Sequence, residues 1–291
     1  MTGEKMNILK DKVIVVVGAS SGIGAAISEY FCNHGAITCI FGRRKERLEK
    51  LCDRAKEKNQ RMYPYTGDAR NYSNLARMAE QIVGCFGKID VWINCAGKNK
   101  AIGCLWDLDP ENLWMETEVN LKSAMNGTHI ALKYMCLENN GTILNFCGGG
   151  AGKTHVFAAV YSTSKAAIAR FTESVALEIQ KAGFNIGIFS TNPGLVRNER
   201  TLALCESTEG KTYMPEIQQA FYQGKEQSPL TIAHLVEAIL EGELRGLKGR
   251  LIECFDRENL TEMKKNENTE WGLLRIINYC IGGYKEGTIY V

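Results

Sequence analysis

Val13-Ile14-Val15-Val16-Val17, followed by Gly18-Ala19-Ser20-Ser21-Gly22-Ile23-Gly24, decides the fold of this 291-residue chain. Five consecutive β-branched residues predict a strand buried on both faces, as in a parallel sheet covered by helices. The three glycines then allow a tight turn, a close backbone approach to a pyrophosphate, and close helix–strand packing. A helix opening at Ile23 would present free N–H groups and the positive end of its dipole to phosphates. A glycine-rich turn alone is weak evidence; a buried strand before it and a helix after it give it meaning. Gly18, Ser20, Ser21, Gly22, Ile23 and Gly24 are therefore the expected contacts to a dinucleotide.

Outward from this unit, β-rich runs alternate with helical patterns. Strands are predicted at 13–17, 37–41, 62–66, 91–94, 142–146, 185–190 and 250–255. Helices are predicted at 23–34, 45–58, 73–86, 111–137 and 161–181, with a small helical flap near 216–223. This alternation predicts an α/β, doubly wound Rossmann-type fold: about seven parallel strands in one sheet, helices on both faces. Residues 1–255 read as one domain, 196–229 as a substrate lid, and 256–291 as a C-terminal extension. Within that extension Trp271, Leu273, Leu274, Ile276 and Ile277 are spaced for a helix packed on the domain or on a neighbouring subunit.

Bulk properties narrow the function. The net charge of +2 is spread along the chain and argues against nucleic-acid and membrane-surface partners. The eleven cysteines form no C-x-x-C pair and no zinc-spaced cluster, so no metal is expected. They read as free thiols in a reducing cytoplasm, Cys32, Cys39, Cys85, Cys136 and Cys254 lying in apolar runs. The first ten residues are polar and show no signal peptide, and no apolar run is long enough to span a bilayer.

Cofactor choice is read at the end of the second strand. About 20 residues past the glycines an NAD-binding site carries an acid for the ribose hydroxyls. Here Gly42 is followed by Arg43 and Arg44. Two guanidiniums can hold a 2′-phosphate and no carboxylate repels it, so NADP(H) is expected.

Together these motifs resemble the short-chain dehydrogenase/reductase family in its compact single-domain branch, from Lys12 to about Gly194. The glycine turn is similar to the family's own, and Asp68 to its adenine contact. Asn94-Cys95-Ala96-Gly97 resembles its Asn-Asn-Ala-Gly segment, and Asn120 its central-helix asparagine. Tyr161-Ser162-Thr163-Ser164-Lys165 resembles its Tyr-x-x-x-Lys signature, and Asn192-Pro193-Gly194 its turn after the sixth strand. The resemblance implies Tyr161, Lys165 and Asn120 as catalytic residues. It implies cofactor contacts at Asp68, Asn94, Ala96, Gly97, Pro193, Gly194 and Val196, besides Tyr161 and Lys165, and a homodimer or homotetramer built through the two long helices.

The Tyr161–Lys165 pair also has its own physical logic. Residues four apart share a helical face. A free tyrosine titrates near about 10, and a neighbouring ammonium is expected to lower that value toward useful acid–base work. Tyr161 would then protonate a carbonyl oxygen as hydride arrives at the carbon.

One departure stands out. The family's serine normally precedes the tyrosine by 13 residues, which falls on Gly148; a Ser-Gly-Gly-Gly variant would place it on Cys147. A thiol is the weaker donor. Three arrangements remain open: Cys147 substitutes, Thr154 or a water serves, or Tyr161 and Lys165 act alone. Cys147 as a nucleophile has no basic partner beside it in sequence. Smaller departures are Val17, Cys95 and Asn198, and of the histidines His34, His129 and His155 the last is the one worth testing.

The expected function is NADP-dependent carbonyl reduction or alcohol oxidation of a small or medium polar metabolite. The alternatives are an epimerase or dehydratase with bound cofactor, or a weakly catalytic dinucleotide-binding protein.

Overall fold

A computed structural model describes residues 7–253 and 255–274. The chain alternates β1 (Val13–Val17), α1 (Gly22–Asn33), β2 (Ile37–Gly42), α2 (Lys45–Glu57), β3 (Met62–Thr66), α3 (Tyr72–Phe86) and β4 (Val91–Asn94). It continues through α4 (Pro110–Thr117), α5 (Ser123–Glu138), β5 (Gly141–Phe146), α6 (Ala159–Lys181) and β6 (Ile186–Asn192). The last elements are α7 (Glu199–Glu206), α8 (Thr208–Tyr213), α9 (Pro215–Tyr222), α10 (Thr231–Leu240), β7 (Leu251–Glu253) and α11 (Leu260–Lys265).

The seven strands form one parallel sheet in the order β3-β2-β1-β4-β5-β6-β7. The doubly wound Rossmann-type fold is therefore as expected. The side-chain alternation of β1 shows why. Ile14 and Val16 enter one core layer with Ile27 and Phe31 of α1 and Leu235 and Val236 of α10. Val13, Val15 and Val17 enter the other with Leu75 of α3, Ile130 of α5 and Ile179 of α6. Only β3 is largely exposed, and it is one of the two edge strands, where Pro64 deprives no neighbouring strand of a donor. The chain reverses its winding between β1 and β4, which opens a crevice at the carboxyl ends of the strands.

Three expectations need revision. The helix expected over 111–137 is broken: α4 and α5 are joined by a π-helical turn, Glu118–Lys122, with Asn120 inside it. The flap near 216–223 is α9, but it belongs to a three-helix lid with α7 and α8. The final strand is only three residues long, and the Leu251 N–H donates to Gly272 O at 2.7 Å, so the extension folds back along this edge. Trp271, Leu273 and Leu274 lie in turns rather than a helix, while Ile276 and Ile277 fall outside the described residues.

Among the described residues nine cysteines are free; Cys32, Cys39, Cys147 and Cys205 are buried, whereas Cys85 is exposed and Cys136 only partly covered. Cys254 is outside the described residues. No described helix is long and apolar enough to cross a membrane, and no described group of side chains could hold a metal.

Candidate active site

The glycine turn uses each glycine differently. Gly18 and Gly22 adopt φ of +94° and +58°, the left-handed region that a side chain disfavours. A Cβ on Gly18 would lie 2.6 Å from the Ala96 nitrogen, and one on Gly24 would lie 2.4 Å from Gly18 O. The turn thus packs directly on the loop after β4. Helix α1 then begins at Gly22, and its N-cap Ser21 forms no side-chain cap. Its first N–H groups are left for an anion, which fits a dinucleotide pyrophosphate.

These residues line one side of a cleft of about 1150 Å³ along the carboxyl ends of the strands. Ser20, Ser21, Gly22, Ile23 and Gly24 face it, as do Ala96 and Gly97, and Pro193, Gly194 and Val196 close the opposite wall. At the adenosine end Arg43, Arg44 and Asp68 line the cleft. Arg44 donates to Ser20 Oγ from Nε at 3.1 Å and from Nη2 at 3.0 Å, and also reaches Ser21 Oγ. The Glu199 carboxylate lies 3.8 Å from Arg44 and is clasped more closely by Arg47. Arg43 makes no ion pair among the described residues. Hydrogen bonds from the Arg70 guanidinium hold the Asp68 carboxyl below its usual range.

At the other end Tyr161 and Lys165 share one face of α6, with the ammonium 5.7 Å from the centre of the phenol ring. Lys165 is buried and donates to Phe146 O at 3.0 Å. Burial pushes its ammonium down to about 8. The phenol is raised, not lowered, from its ordinary value: burial outweighs the favourable charge of Arg200. Asn120 is fully buried, its Oδ1 accepting from Lys98 N at 2.7 Å and its Nδ2 donating to Lys98 O at 3.0 Å. The π turn rotates this side chain inward against the loop after β4. Gly97 is the meeting point: a Cβ there would lie 3.4 Å from Asn120 Oδ1, 3.5 Å from Lys165 Nζ and 3.7 Å from Arg200 Nη1.

Asn94 and Asn120 do not line the cleft, and Cys147 borders it only from within an apolar cluster. Asn94 donates from Nδ2 to Asn145 Oδ1 at 2.8 Å and to Thr128 Oγ1 at 3.2 Å, and its Oδ1 accepts from Trp92 Nε1 at 2.8 Å. It ties β4 to β5 and α5 beneath the site. Cys147 is buried with Ala124, Ala151, Ile168, Ala169 and Leu251. Burial pushes its thiol up to about 12 against the opposing charge of Lys165, and this disfavours a nucleophilic thiolate. Gly148, where the serine would stand, has no room for one: a Cβ there would lie 2.3 Å from Tyr161 Oη.

Asn198 caps α7, accepting from Arg200 N at 3.0 Å and Thr201 N at 3.2 Å. His34 bonds Tyr30 O and His129 bonds Tyr72 Oη, both away from the cleft; His155 lines it. Sequence reasoning missed Arg200, whose Nη1 donates to Gly97 O at 3.3 Å from the lid. It also missed Glu116, a buried carboxylate accepting from Lys100 N at 2.7 Å and Ala101 N at 2.8 Å, which shapes the loop after β4.

Near Tyr161 the cleft has a largely apolar mouth, lined by Val156 and Phe157 and by Leu204, Tyr213, Met214 and Ile217 of the lid, with Lys153, Thr154 and Glu216 among them. The Phe157 and Tyr213 rings lie 4.8 Å apart.

The chain matches the short chain dehydrogenase family over residues 12–207. It belongs to that family, the short-chain dehydrogenases/reductases, and is an oxidoreductase by membership. It is 31% identical over 193 residues to an uncharacterised oxidoreductase of Staphylococcus epidermidis, covering 66% of this chain and 81% of that protein. It is 28% identical over 252 residues to a 3-oxoacyl-[acyl-carrier-protein] reductase of Thermotoga maritima, covering 84% and 99%. Among solved structures it resembles an actinorhodin polyketide ketoreductase with NADPH (TM-score 0.75, 24% identity, 84% and 95% covered). It is equally similar in fold to an NAD+-bound xylitol dehydrogenase (TM-score 0.75, 23% identity, 84% and 98% covered).

Proposed function

We propose that the chain is an NADP(H)-dependent carbonyl reductase for a medium-sized, largely apolar ketone, with alcohol oxidation as the reverse reaction. The observation that carries this reading is the convergence of Tyr161, Lys165, Asn120 and Gly97 beside the largely apolar mouth of the cleft. That mouth replaces the polar metabolite expected from sequence. The bound cofactor supplies a hydride to the carbonyl carbon. As the new C–H bond forms, the carbonyl π pair moves to oxygen, and Tyr161 Oη gives that oxygen its proton. Lys165 keeps positive charge beside the resulting phenolate and, as in its relatives, would hold the nicotinamide ribose. Asn120 fixes the Lys98 main chain behind the pair, and the family's water-linked proton path would pass here. Exposed Met125 and Leu137 of α5 and Leu177 of α6 fit the homodimer or homotetramer expected of these helices.

NADPH oxidation against a ketone panel tests the reaction. Aryl and medium-chain ketones are expected to turn over, and small hydroxylated ketones to react poorly. Binding of NADPH without turnover of any ketone sinks the proposal. Cofactor choice rests on Arg43, the cation free to meet a 2′-phosphate. Losing one charged hydrogen-bond partner costs about 1.5–3 kcal/mol, so Arg43→Asp should cut the NADPH-over-NADH preference by roughly 10–100-fold. An unchanged ratio of the two kcat/KM values would show that the arginine does not read the phosphate.

A further inference from the structure

We propose that the His155 imidazole takes the place of the missing serine, donating from Nε2 to the carbonyl oxygen that Tyr161 protonates. This rests on the carbonyl-reductase reading and names the second donor that reading lacks.

The argument begins with space. At Gly148 a Cβ would overlap Tyr161 Oη at 2.3 Å, so no side chain from this position can reach the substrate. At Gly149 a Cβ would lie 3.1 Å from His155 Nε2, so the imidazole stands against the next residue of the same strand end. The His155 and Tyr161 rings are 6.3 Å apart between centres and inclined by 38°. Both side chains line the cleft, so a carbonyl oxygen bound between them would meet Tyr161 Oη on one side and His155 Nε2 on the other.

Chemistry then selects the nitrogen. His155 Nε2 is buried and has no hydrogen-bond partner among the described residues, although the residue lines the cleft. A buried polar atom left unpaired is unfavourable, and a bound oxygen would satisfy it. Burial, reinforced by Lys153, pushes the imidazole below its ordinary value; Glu216 opposes this. The ring is therefore neutral at neutral pH and carries one N–H. It gives a hydrogen bond and keeps its proton, so no change in the hydride and proton count is required.

The loop holds the ring in place. His155 N donates to Ser162 Oγ at 3.2 Å, Ala158 N donates to His155 O at 3.2 Å, and Phe157 O accepts from Gly103 N at 2.9 Å. Phe157 keeps a φ of +63°, a conformation uncommon for a bulky residue, within this pinned turn. The alternatives fit less well. Thr154 is exposed, Cys147 lies in an apolar cluster, and Arg200 is drawn to Gly97 O on the Lys165 side.

His155→Phe and His155→Gln, assayed with NADPH and acetophenone, test the assignment. Removing one oxyanion donor costs about 10²–10³ in kcat. His155→Phe should show that loss with KM altered less than about fivefold and NADPH affinity unchanged, whereas the amide of His155→Gln should restore about a tenth of wild-type kcat or more. The second measurement needs no turnover. In 15N-histidine-labelled protein with NADP+, one of the four histidine signals, the one absent from His155→Phe, should shift at Nε2 when acetophenone is added. Unchanged kcat in His155→Phe, equal losses in both variants, or an Nε2 signal indifferent to saturating ketone would each overturn it. If the wild type reduces no ketone, the carbonyl-reductase reading fails, and the nitrogen signal still decides whether His155 meets a bound carbonyl.

Discussion

Replacing Tyr161 by Phe is expected to lower kcat/KM for ketone reduction by about 10³-fold while NADPH still binds. Positioned proton transfer contributes roughly 10²–10⁴ to a rate, and Tyr161 Oη is the acid in the proposed reaction. The pH profile follows from the two shifted groups. Burial holds the phenol above its ordinary value, so the proton-donating form persists throughout the neutral range. Lys165 sets the limit: its ammonium form is lost as pH rises through about 8. Reduction should therefore hold up to about pH 8 and decline above it. The reverse oxidation needs the phenolate, which burial disfavours, and should rise only at pH above the ordinary tyrosine range. Lys165→Arg, whose charge persists, should move the falling limb of reduction upward. A profile for reduction that stays level past pH 10 would show that Lys165 charge does not govern the step.

The reactive pair was legible in sequence because its parts sit on a regular element. Spacing of four places Tyr161 and Lys165 on one face of a helix wherever that helix packs. The β1–turn–α1 unit was equally legible, since β-branched residues, glycines and a following helix all agree. What sequence concealed lies where a side of the chain must be chosen. Asn94 and Cys147 stand at strand ends, where neighbouring residues point to opposite faces and position alone does not say which. Asn94 turns toward Thr128 and Asn145, and Cys147 toward Ile168. The π turn at Asn120 was hidden because Glu118–Lys122 is only five residues long, too short to show a period of its own. Arg200 and His155 carry no signal of their own: one sits in the first turn of the short helix α7 and the other in the irregular loop before α6, and only the folded lid and loop bring them to Tyr161. Glu116 read as an ordinary polar residue of a helix, yet the loop it bonds makes it one of the buried carboxylates.

Lys165→Met is expected to make the protein more stable and nearly inactive. The fold buries an ammonium whose pKa drops from 10.5 to about 8, so the folded state binds that proton less tightly than the unfolded chain. Between those two values the unfolded state holds more protons, and stability must rise with pH; below about 8 the full cost of burying the charge is present. Each unit is worth 1.36 kcal/mol, which puts this cost at about 3 kcal/mol at neutral pH. Losing the hydrogen bond to Phe146 O returns about 1 kcal/mol of it. Methionine fills similar volume without charge, so Lys165→Met should gain about 1–2 kcal/mol at pH 7, read from urea unfolding, and show no gain near pH 11. Turnover should fall by about 10²–10⁴, because no cation then remains on α6 beside the phenol. A variant less stable than the parent at pH 7 would mean that Lys165 is held by more favourable contacts than the Phe146 carbonyl. The opposite signs of the two effects carry the physical point. This chain keeps a destabilising charge in its core, and the reaction at Tyr161 is what the charge serves.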